Sequence, residues 1–424
     1  MFLRPAAYAA LVAVLAWAVP AQAGDRLTLD DAFQRVARTH PDLQLFGPRT
    51  DQLLAERDQA TLGPPLAFGA ELENAFGSGT ARGLEGTELT LSLAGVFERG
   101  GKLDARRTLA QQRIDALAGE RELRRLDLLA DTTRRYLESV VAEARITLAG
   151  AEVEQRRLTV AAARQRLQAG ASPESVLLTA QAALARAELE QARALQQAGS
   201  HRRRLAALWG EREPSFELAR ADVYDLPELG STQALADLLE ASPELARLAD
   251  DRRIAEARLQ LARASGSTDL DWQVGVRRLQ AEGDTALVAG FSMPLGSRGR
   301  AMPGIREAEA ALAGVEVERE ARGLALYTTL LDAHGRYISA QLETRRLGAE
   351  VLPRLRRAAD AAGRAWRAGA ISYLEWAQLQ SEHAAVAQRR LDAALEGRLA
   401  LVEIQRLTGQ PIVASPAPSE GTTP

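Results

Sequence analysis

The sequence of 424 residues contains no cysteine and very few lysine or aromatic residues. Without cysteine there are no disulfide bonds, no thiolate metal ligands and no thiol nucleophile. Lys102 is the only lysine, so arginine carries nearly all of the positive charge. Aromatic residues make up 4% of the chain, which is low for a conventional globular core. This composition agrees better with long helices that pack closely through alanine and leucine.

Charge and motif content exclude several functional classes. The formal net charge is −3 and no basic run stands out, so the sequence indicates no nucleic-acid-binding surface. The sequence has no nucleophile elbow, P-loop or pair of catalytic carboxylates. The four histidines lack metal-ligand spacing and are better explained as structural residues: His40, His201, His334 and His383. We therefore predict a protein that is not an enzyme, needs no cofactor and has no metal site of its own.

The first residues have the pattern of a secretion signal. Arg4 precedes an apolar run over residues 6–19, and Ala21-Gln22-Ala23 is a cleavage site of the small-x-small type. We interpret residues 1–23 as a bacterial signal peptide. A membrane anchor is the alternative, but the apolar run is short for spanning a bilayer. No cysteine follows the cleavage point, so we expect no lipid anchor, and no later stretch predicts a membrane helix.

A long helix is predicted over residues 103–168. The segment contains no proline and consists almost entirely of good helix formers. A sustained seven-residue repeat indicates a helix that is supercoiled against neighbouring helices, and this one would be roughly 100 Å long. The apolar and small residues that follow one another at intervals of seven are Leu109, Ala116, Leu123, Ala130, Leu137, Ala144, Ala151 and Leu158.

A second long helix is predicted over residues 303–368, and Pro353 is expected to bend it. Each long helix ends at a glycine-containing turn, after which returning helices are predicted over residues 173–209 and 372–408. The seven-residue repeat of the second long helix is formed by Ala310, Val317, Leu324, Leu331 and Ile338.

Apolar and polar residues alternate before each long helix, with the period of two that predicts β-strands. Strands of about ten residues with this alternation suit a membrane-spanning barrel. The predicted strands cover residues 66–76, 87–97, 270–280 and 285–295.

The same order of elements occurs twice, which predicts two tandem structural repeats. Gly170 and Gly369 are 199 residues apart, as are Gly210 and Gly409, so the turns and returning helices align without a gap. The predicted division is a signal peptide (1–23), a first repeat (24–212), a linker (213–230), a second repeat (231–410) and a disordered tail (411–424).

Four strands per chain cannot close a membrane barrel, and an open sheet would leave unpaired edges in lipid. Several copies must therefore pool their strands, and three copies would provide twelve. We predict a mainly α protein with a small β part, in which several copies share one transmembrane β-barrel that continues into a ring of helices. A ring of helices below a ring of strands forms one continuous tube, so we predict that the assembly is a conduit.

The order of elements is accompanied by six short motifs: Leu27-Thr-Leu-Asp-Asp-Ala32, His40-Pro-Asp-Leu43, Gly100-Gly-Lys102, Ala169-Gly-Ala171, Ala368-Gly-Ala-Ile-Ser372 and Leu407-Thr-Gly409. Together they resemble the TolC-like outer-membrane factor family, whose members are outer membrane efflux proteins. The glycine-glycine-lysine motif at residues 100–102 and the compact length look most like the CzcC-type cation-efflux branch.

The resemblance implies a homotrimer in the outer membrane of a Gram-negative bacterium, surrounded by outer-membrane lipid. Its fold would be a trimeric twelve-stranded transmembrane β-barrel that continues into a periplasmic α-helical barrel. A periplasmic adaptor (membrane fusion protein) would connect it to an inner-membrane pump of the resistance–nodulation–division (RND) type, and heavy-metal cations would be the cargo. Two alternatives remain open. The same channel could export drugs, organic compounds or a type I secretion substrate, or the protein could be a periplasmic coiled-coil scaffold without a pore.

The resemblance also implies site residues at the periplasmic end of the tube. Glu375 and Gln378 lie where the family carries gate residues, and three copies of Glu375 would form a negative ring that attracts cations. The plain alternatives are a solvated glutamate and ordinary helix-capping glycines. The residues expected to meet the adaptor are Ala169, Gly170, Ala171, Ser172, Ala368, Gly369, Ala370, Ile371 and Ser372.

Overall fold

The computed structural model describes residues 26–412. The predicted signal peptide lies outside the described residues, and so does the predicted tail from residue 413 onward. Within residues 26–412, none of the helices combines the length and the apolar character needed to cross a membrane.

The described chain is mainly helical with a small β part, which confirms the predicted fold class. The helices are α1 (Leu29–Thr39), α2 (Pro41–Gln44), α3 (Phe46–Ala60), α4 (Lys102–Gln168), α5 (Glu174–Ala206), α6 (Thr232–Glu240), α7 (Pro243–Ser265), α8 (Ser297–Arg346), α9 (Leu352–Arg367) and α10 (Tyr373–Thr408). The strands are β1 (Arg26–Leu27), β2 (Ala67–Glu73), β3 (Glu88–Phe97), β4 (Glu217–Leu218), β5 (Leu270–Leu279) and β6 (Asp284–Ser292).

Strands β2, β3, β5 and β6 form one antiparallel sheet in that order. The register places Leu91 between Ala70 and Val276, so the apolar residues of neighbouring strands lie on the same face. On the opposite face Arg277 forms ion pairs with Glu73 at 3.1 Å and Glu88 at 3.0 Å. The outer edges of the sheet are β2 and β6.

Two strands are shorter than the alternation predicts. The prediction of a strand to residue 76 is wrong, because β2 ends at Glu73 and the chain turns away through the positive φ angles of Asn74 and Phe76. The last strand ends at Ser292 instead of 295. Pro294 follows closely and has no N–H to donate to a neighbouring strand.

The glycine-glycine-lysine motif fixes the junction between the sheet and α4. Gly100 has a φ of 78°, and a Cβ added there would lie 1.9 Å from Ser267 Oγ, so only glycine fits. Gly101, with a φ of 72°, precedes the first turn of α4. Lys102 Nζ donates a 2.6 Å hydrogen bond to Asp269 Oδ2. The motif therefore joins the start of α4 to the segment that leads into β5.

The helices form a row of four tracks. Helix α4 packs against α3 and α7 in its first part and against α5 and α10 in its second part. Helix α8 packs against α7 and α10, and α9 packs against α10. One edge of the row is therefore formed by α3 and α5, and the other by α8 and α9.

The seven-residue rows are only partly buried within one chain. In α4, Leu109 and Ala116 are buried, whereas Leu158 near the far end is 67% exposed. In α8, Val317 and Leu324 of the predicted row are 67% and 66% exposed. Along a straight helix, residues spaced by seven shift around the helix axis by about 20° per repeat. The row in α4 therefore turns away from the neighbouring helix along its length. The row in α8 lies at the edge of the helical row.

The second long helix is interrupted and begins earlier than predicted. It starts at Ser297 instead of 303, immediately after Gly296, whose φ is 80°. A π-helical turn over Leu347–Val351 separates α8 from α9. Pro353 lies just beyond this turn, and because it lacks an N–H it disturbs the regular α-helical hydrogen bonding there.

Two apolar cores pack against the middle of the long helices. In the first, Tyr136 donates a hydrogen bond of 3.2 Å to the carbonyl oxygen of Leu27, in the short parallel pair β1–β4. In the second, Tyr337 donates to the carbonyl oxygen of Pro227. The predicted linker over residues 213–230 therefore contains strand β4 and is anchored to both long helices.

Candidate functional site

The first candidate tip is the turn between α4 and α5. Gly170 has a φ of 68°, and beyond it the N–H of Ala171 donates a 2.8 Å hydrogen bond to the carbonyl oxygen of Arg166. This is the glycine-terminated helix end that the sequence predicts. Pro173 then precedes the first turn of α5. The turn is compact, and no side chain caps the start of α5.

The second candidate tip repeats this geometry between α9 and α10. Gly369 has a φ of 82°, and the N–H of Ala370 donates a 2.9 Å hydrogen bond to the carbonyl oxygen of Ala365. Here, however, Ser372 caps the next helix. The two tips therefore share their helix ends and differ in how the returning helix begins.

The arginine of the first tip holds both tips together. Arg166 Nη1 donates hydrogen bonds of 2.7 and 3.0 Å to the carbonyl oxygens of Trp366 and Arg367, at the end of α9. Its Nη2 donates a 3.0 Å bond to the carbonyl oxygen of Ala171. A cation is favourable at this position because carbonyl groups at a helix C-terminus carry partial negative charge.

Three aromatic side chains form a buried cluster behind the second tip. Trp366 and Trp376 stack with their ring centroids 4.6 Å apart, and Tyr373 packs edge-on against both. Gly363 allows this contact, since a Cβ added there would lie 3.0 Å from the indole nitrogen of Trp376. In a chain with so few aromatic residues, this cluster makes the second tip the more rigidly packed of the two.

Above the cluster, a buried arginine connects the two helical hairpins. Arg156 on α4 donates to Gln380 Oε1 at 3.2 Å and to Ser381 Oγ at 3.1 Å, both on α10. Gln380 in turn donates to Thr159 Oγ1 at 3.4 Å. These hydrogen bonds fix the register of α10 against α4 near the tips.

The two candidate gate residues lie on the exposed surface of α10. The carboxylate of Glu375 accepts hydrogen bonds from the N–H and the hydroxyl of Ser372, at 2.8 and 2.9 Å, and the N–H of Glu375 donates to Ser372 Oγ at 3.3 Å. These bonds, first the one from the main-chain N–H, lower the pKa of Glu375. Glu375 is therefore ionised and forms a capping box. Gln378 is exposed one turn further along α10.

Two parts of this site are missing from the sequence-based prediction. The only sequence pattern that pointed to Arg166 is a general one, a basic residue in the last turn of a helix. The pairing of Trp366 with Trp376 had no signal, because the two lie on opposite sides of a turn. Within residues 26–412 there is no group of three or more histidine or acidic side chains that could hold a metal ion.

The chain is similar to known proteins both in sequence and in fold. Residues 34–211 match the family model described as outer membrane efflux protein. Over these residues the chain is similar to the outer membrane efflux protein family. The match covers most of the predicted first repeat, including the first tip.

Individual relatives agree with this assignment. The chain is 27% identical to the cobalt-zinc-cadmium resistance protein CzcC of Cupriavidus metallidurans over 289 residues, which are 66% of this chain and 67% of that protein. The fold matches that of CusC with a TM-score of 0.75 and 16% identity, over 91% of this chain and 92% of the other. It matches VceC of Vibrio cholerae with a TM-score of 0.72 and 18% identity, over 90% and 96%.

These similarities identify the chain as an outer-membrane channel of a tripartite export system, with a periplasmic helical domain, and not as an enzyme. Channels of this family form trimers and act with periplasmic adaptor proteins and inner-membrane RND pumps.

Proposed function

We propose that three copies of this chain close into a passive conduit that receives heavy-metal cations from an RND pump and releases them outside the cell. The single observation that carries the proposal is that both edges of the chain are unsatisfied. At the sheet, the main-chain groups on the outer sides of β2 and β6 have no partner strand within the described residues. Pairing of β6 with β2 of the next copy would satisfy them, and three copies would provide a barrel of twelve strands.

The helical edges support the same head-to-tail closure. The exposed apolar row of α8 includes Val317, Leu324 and Leu331. On the opposite edge of the chain, Leu178 and Leu189 of α5 are 56% and 49% exposed. Two different apolar edges generate a ring when the rotation between copies closes. In the ring, α8 and α9 of one copy would face α3 and α5 of the next.

Disruption of the α8 row tests the closure. We expect Leu324→Glu to prevent trimer formation, measured by native electrophoresis and heat-modifiable migration of the outer-membrane fraction. Ala325→Glu is the matched control, because the neighbouring positions of its own seven-residue row, Glu318 and Asp332, are already polar. A trimer of normal stability in Leu324→Glu would contradict the proposed closure.

The two tips are proposed to dock the adaptor. Small residues surround Gly170 and Gly369, so the backbone of a partner can approach closely. We expect Gly369→Trp to abolish export while trimers still assemble. Because Gly369 has a positive φ, Ala370→Trp serves as a second variant that adds the same bulk without changing the glycine. Unchanged metal resistance in both variants would contradict adaptor docking at this tip.

The proposed cargo, heavy-metal cations, is inferred from the relative CzcC. CzcC is named for resistance to cobalt, zinc and cadmium. Since we expect no metal site in this chain, the pump would select the cation and the channel would only conduct it. Growth of a deletion strain on graded cobalt, zinc and cadmium tests this, with restoration by the intact gene. Sensitivity only to organic compounds, or loss of a secreted polypeptide, would overturn the metal assignment and keep the channel.

Glu375 is the proposed charged residue of the periplasmic gate, with Gln378 as its neutral neighbour one turn away. Three ionised carboxylates around one opening would attract cations. The capping box already accounts for this glutamate in structural terms, so its role in the gate has to be separated experimentally from its role as a cap.

A further inference from the structure

The apolar face of the four-stranded sheet carries one charged side chain among its described residues. The register places three complete rows of residues across β2, β3, β5 and β6 on this face. Two of the rows are entirely apolar: Phe68, Leu93, Val274 and Ala289, and next to it Ala70, Leu91, Val276 and Leu287. The third row ends the face and consists of Leu72, Leu89, Arg278 and Thr285.

Arg278 lies at the end of the sheet that points away from the helices. The strand ends at Phe97 and Ser292 lead into α4 and α8, so those ends face the periplasm. Arg278 pairs with Thr285 at the opposite end, beside the turn that connects β5 to β6. In the proposed barrel, this arginine would therefore lie where the apolar band meets the headgroups of the outer leaflet.

This depth in the membrane is one that an arginine can occupy. The cost of an arginine on the lipid-facing side of a barrel is large at the bilayer midplane and small near the interfaces. Near an interface, the apolar stem of the side chain can lie along the strand while the guanidinium reaches polar headgroups. The charge still needs a counter-charge, because it lies beside two apolar rows.

The chain itself supplies no carboxylate to Arg278. Its Nη1 donates to the carbonyl oxygen of Gly283 and, at 3.5 Å, to Thr285 Oγ1. These bonds hold the guanidinium beside the turn. Its Nε and Nη2 make no hydrogen bond within residues 26–412, and it forms no ion pair there. Stabilisation of the turn therefore uses one of the three nitrogens and leaves two free.

The adjacent Arg277 shows the opposite arrangement. It lies on the polar face of the sheet, forms ion pairs with Glu73 and Glu88, and donates a 2.9 Å hydrogen bond from Nε to Thr90 Oγ1. Of two consecutive arginines on one strand, the one on the polar face thus has two carboxylates and the one on the apolar face has none. The counter-charge of Arg278 has to come from outside the described chain.

We propose that Arg278 binds the phosphate group of an anionic lipid in the outer leaflet, one lipid for each copy of the chain. This inference rests on the proposed closure into a barrel, which places the apolar face against lipid. A planar guanidinium with two free nitrogens matches two oxygens of a phosphate. The acyl chains of the same lipid lie along the apolar rows that contain Val276 and Val274.

Closure of the ring leaves this surface open to lipid and keeps the three sites apart. Arg278 is on β5, which is not an edge strand, so pairing of β6 with β2 of the next copy does not cover it. Neighbouring strands are about 4.8 Å apart, so equivalent arginines four strands away are separated by roughly 19 Å along the barrel wall. The three sites therefore bind lipids independently.

Titration of the detergent-solubilised full-length trimer with lipid A, which carries phosphates and acyl chains in one molecule, tests the proposal. Native mass spectrometry counts the bound molecules. We expect the wild type to bind up to three, and Arg278→Gln to bind lipid A at least about tenfold more weakly. Arg82→Gln is the matched control and should bind like the wild type. Arg82 is exposed in the loop between β2 and β3, at the same end of the sheet, and forms no ion pair within the described residues.

A second variant leaves the arginine in place. Thr285 lies directly opposite Arg278 on β6, so Thr285→Glu supplies the carboxylate that the chain lacks. We expect this variant to weaken lipid A binding about as much as Arg278→Gln does, and it decides the question if Arg278→Gln does not assemble. Unchanged lipid A binding in either assembled variant overturns the inference. Equal losses in Arg278→Gln and Arg82→Gln also overturn it, because they would reveal only a general attraction between charges.

Two further ligands separate the sources of phosphate. Lipid A without its phosphates should bind the wild type at least about tenfold more weakly, and inorganic phosphate at the same concentration should not displace lipid A. Equal binding of the dephosphorylated lipid would mean that the apolar rows alone hold it, and displacement by inorganic phosphate would mean that the site takes the free anion. Either result overturns the inference.

Native electrophoresis of the same preparations separates this inference from the closure on which it rests. If the wild type forms no trimer, the proposed closure fails and the inference fails with it. If the wild type is trimeric but does not distinguish lipid A from its dephosphorylated form, only the inference is wrong.

Discussion

Arg166 Nη1 lies 2.7 Å from the carbonyl oxygen of Trp366, and its guanidinium carbon lies 5.4 Å from the centroid of the Trp366 indole ring. The two residues are 200 positions apart and lie in different predicted repeats. One side chain thus joins the ends of both helical hairpins, where the channel would meet its adaptor. Arginine suits this position because its planar group can donate several bonds and stack on a ring at the same time.

Removal of this side chain should loosen the second tip. In Arg166→Ala, we expect faster hydrogen exchange at the amides of Ala368, Gly369 and Ala370, because charge-assisted hydrogen bonds worth about 1.5–3 kcal/mol are lost. Arg164→Ala is the control, since this neighbouring arginine is exposed and makes no ion pair in the described chain. Equal exchange in both variants would show that Arg166 does not hold the tip.

The two glycines that precede the long helices should respond differently to alanine. Both have positive φ, at 78° for Gly100 and 80° for Gly296, which costs alanine about 1–2 kcal/mol. Only at Gly100 would the new methyl group also collide with Ser267, whereas nothing lies within 4 Å at Gly296. We expect Gly100→Ala to lower the melting temperature clearly more than Gly296→Ala. Equal losses would mean that the sheet–helix junction adapts freely.

The two apolar cores that contain Tyr136 and Tyr337 should lose stability in strong alkali. Burial raises the pKa of both Tyr136 and Tyr337 to about 12, from an ordinary value of 10. The unfolded chain therefore releases these protons first, and stability that is complete below pH 10 is lost as the pH rises to about 12. Thermal melts followed by circular dichroism should show this decline. It should be smaller in Tyr136→Phe, and an unchanged slope in that variant would contradict the assignment.

Two substitutions at the second tip separate capping from gating. Glu375→Gln removes the charge but keeps a residue that can complete the capping box, whereas Ser372→Ala keeps the charge and breaks the box. We expect Ser372→Ala to destabilise the start of α10 by about 1 kcal/mol, with little change in ion selectivity. Glu375→Gln should lower the cation selectivity of single channels in planar bilayers. Unchanged selectivity in Glu375→Gln would reject the proposed ring.

Much of the fold follows from local sequence because its signals are short-range. Periods of seven and of two residues predict the long helices and the strands, and glycines at Gly170 and Gly369 mark the ends of the hairpins. The errors occur where local geometry overrides the pattern. Two residues with positive φ, Asn74 and Phe76, end β2 early, and a left-handed glycine at Gly296 starts α8 before the predicted position.

Only part of the candidate site could be predicted from the sequence. The two turns and Glu375 could be located, because each belongs to a short motif of residues that are neighbours along the chain. The bond from Arg166 to Trp366 could not be predicted, nor could the stacking of Trp366 on Trp376. Both depend on which faces of separate helices meet, and intervals along one helix do not specify the rotation of another.

The sequence by itself determined a mainly helical protein with long helices, two strand pairs and glycine turns, because these features depend on spacing between near neighbours. The tertiary structure decided the strand order, the hydrogen bonds by which Arg166 connects the two tips, and the exposure of the seven-residue row of α8. Those features depend on contacts between residues one or two hundred positions apart, where the packing of faces, and not the local pattern, sets the lowest free energy.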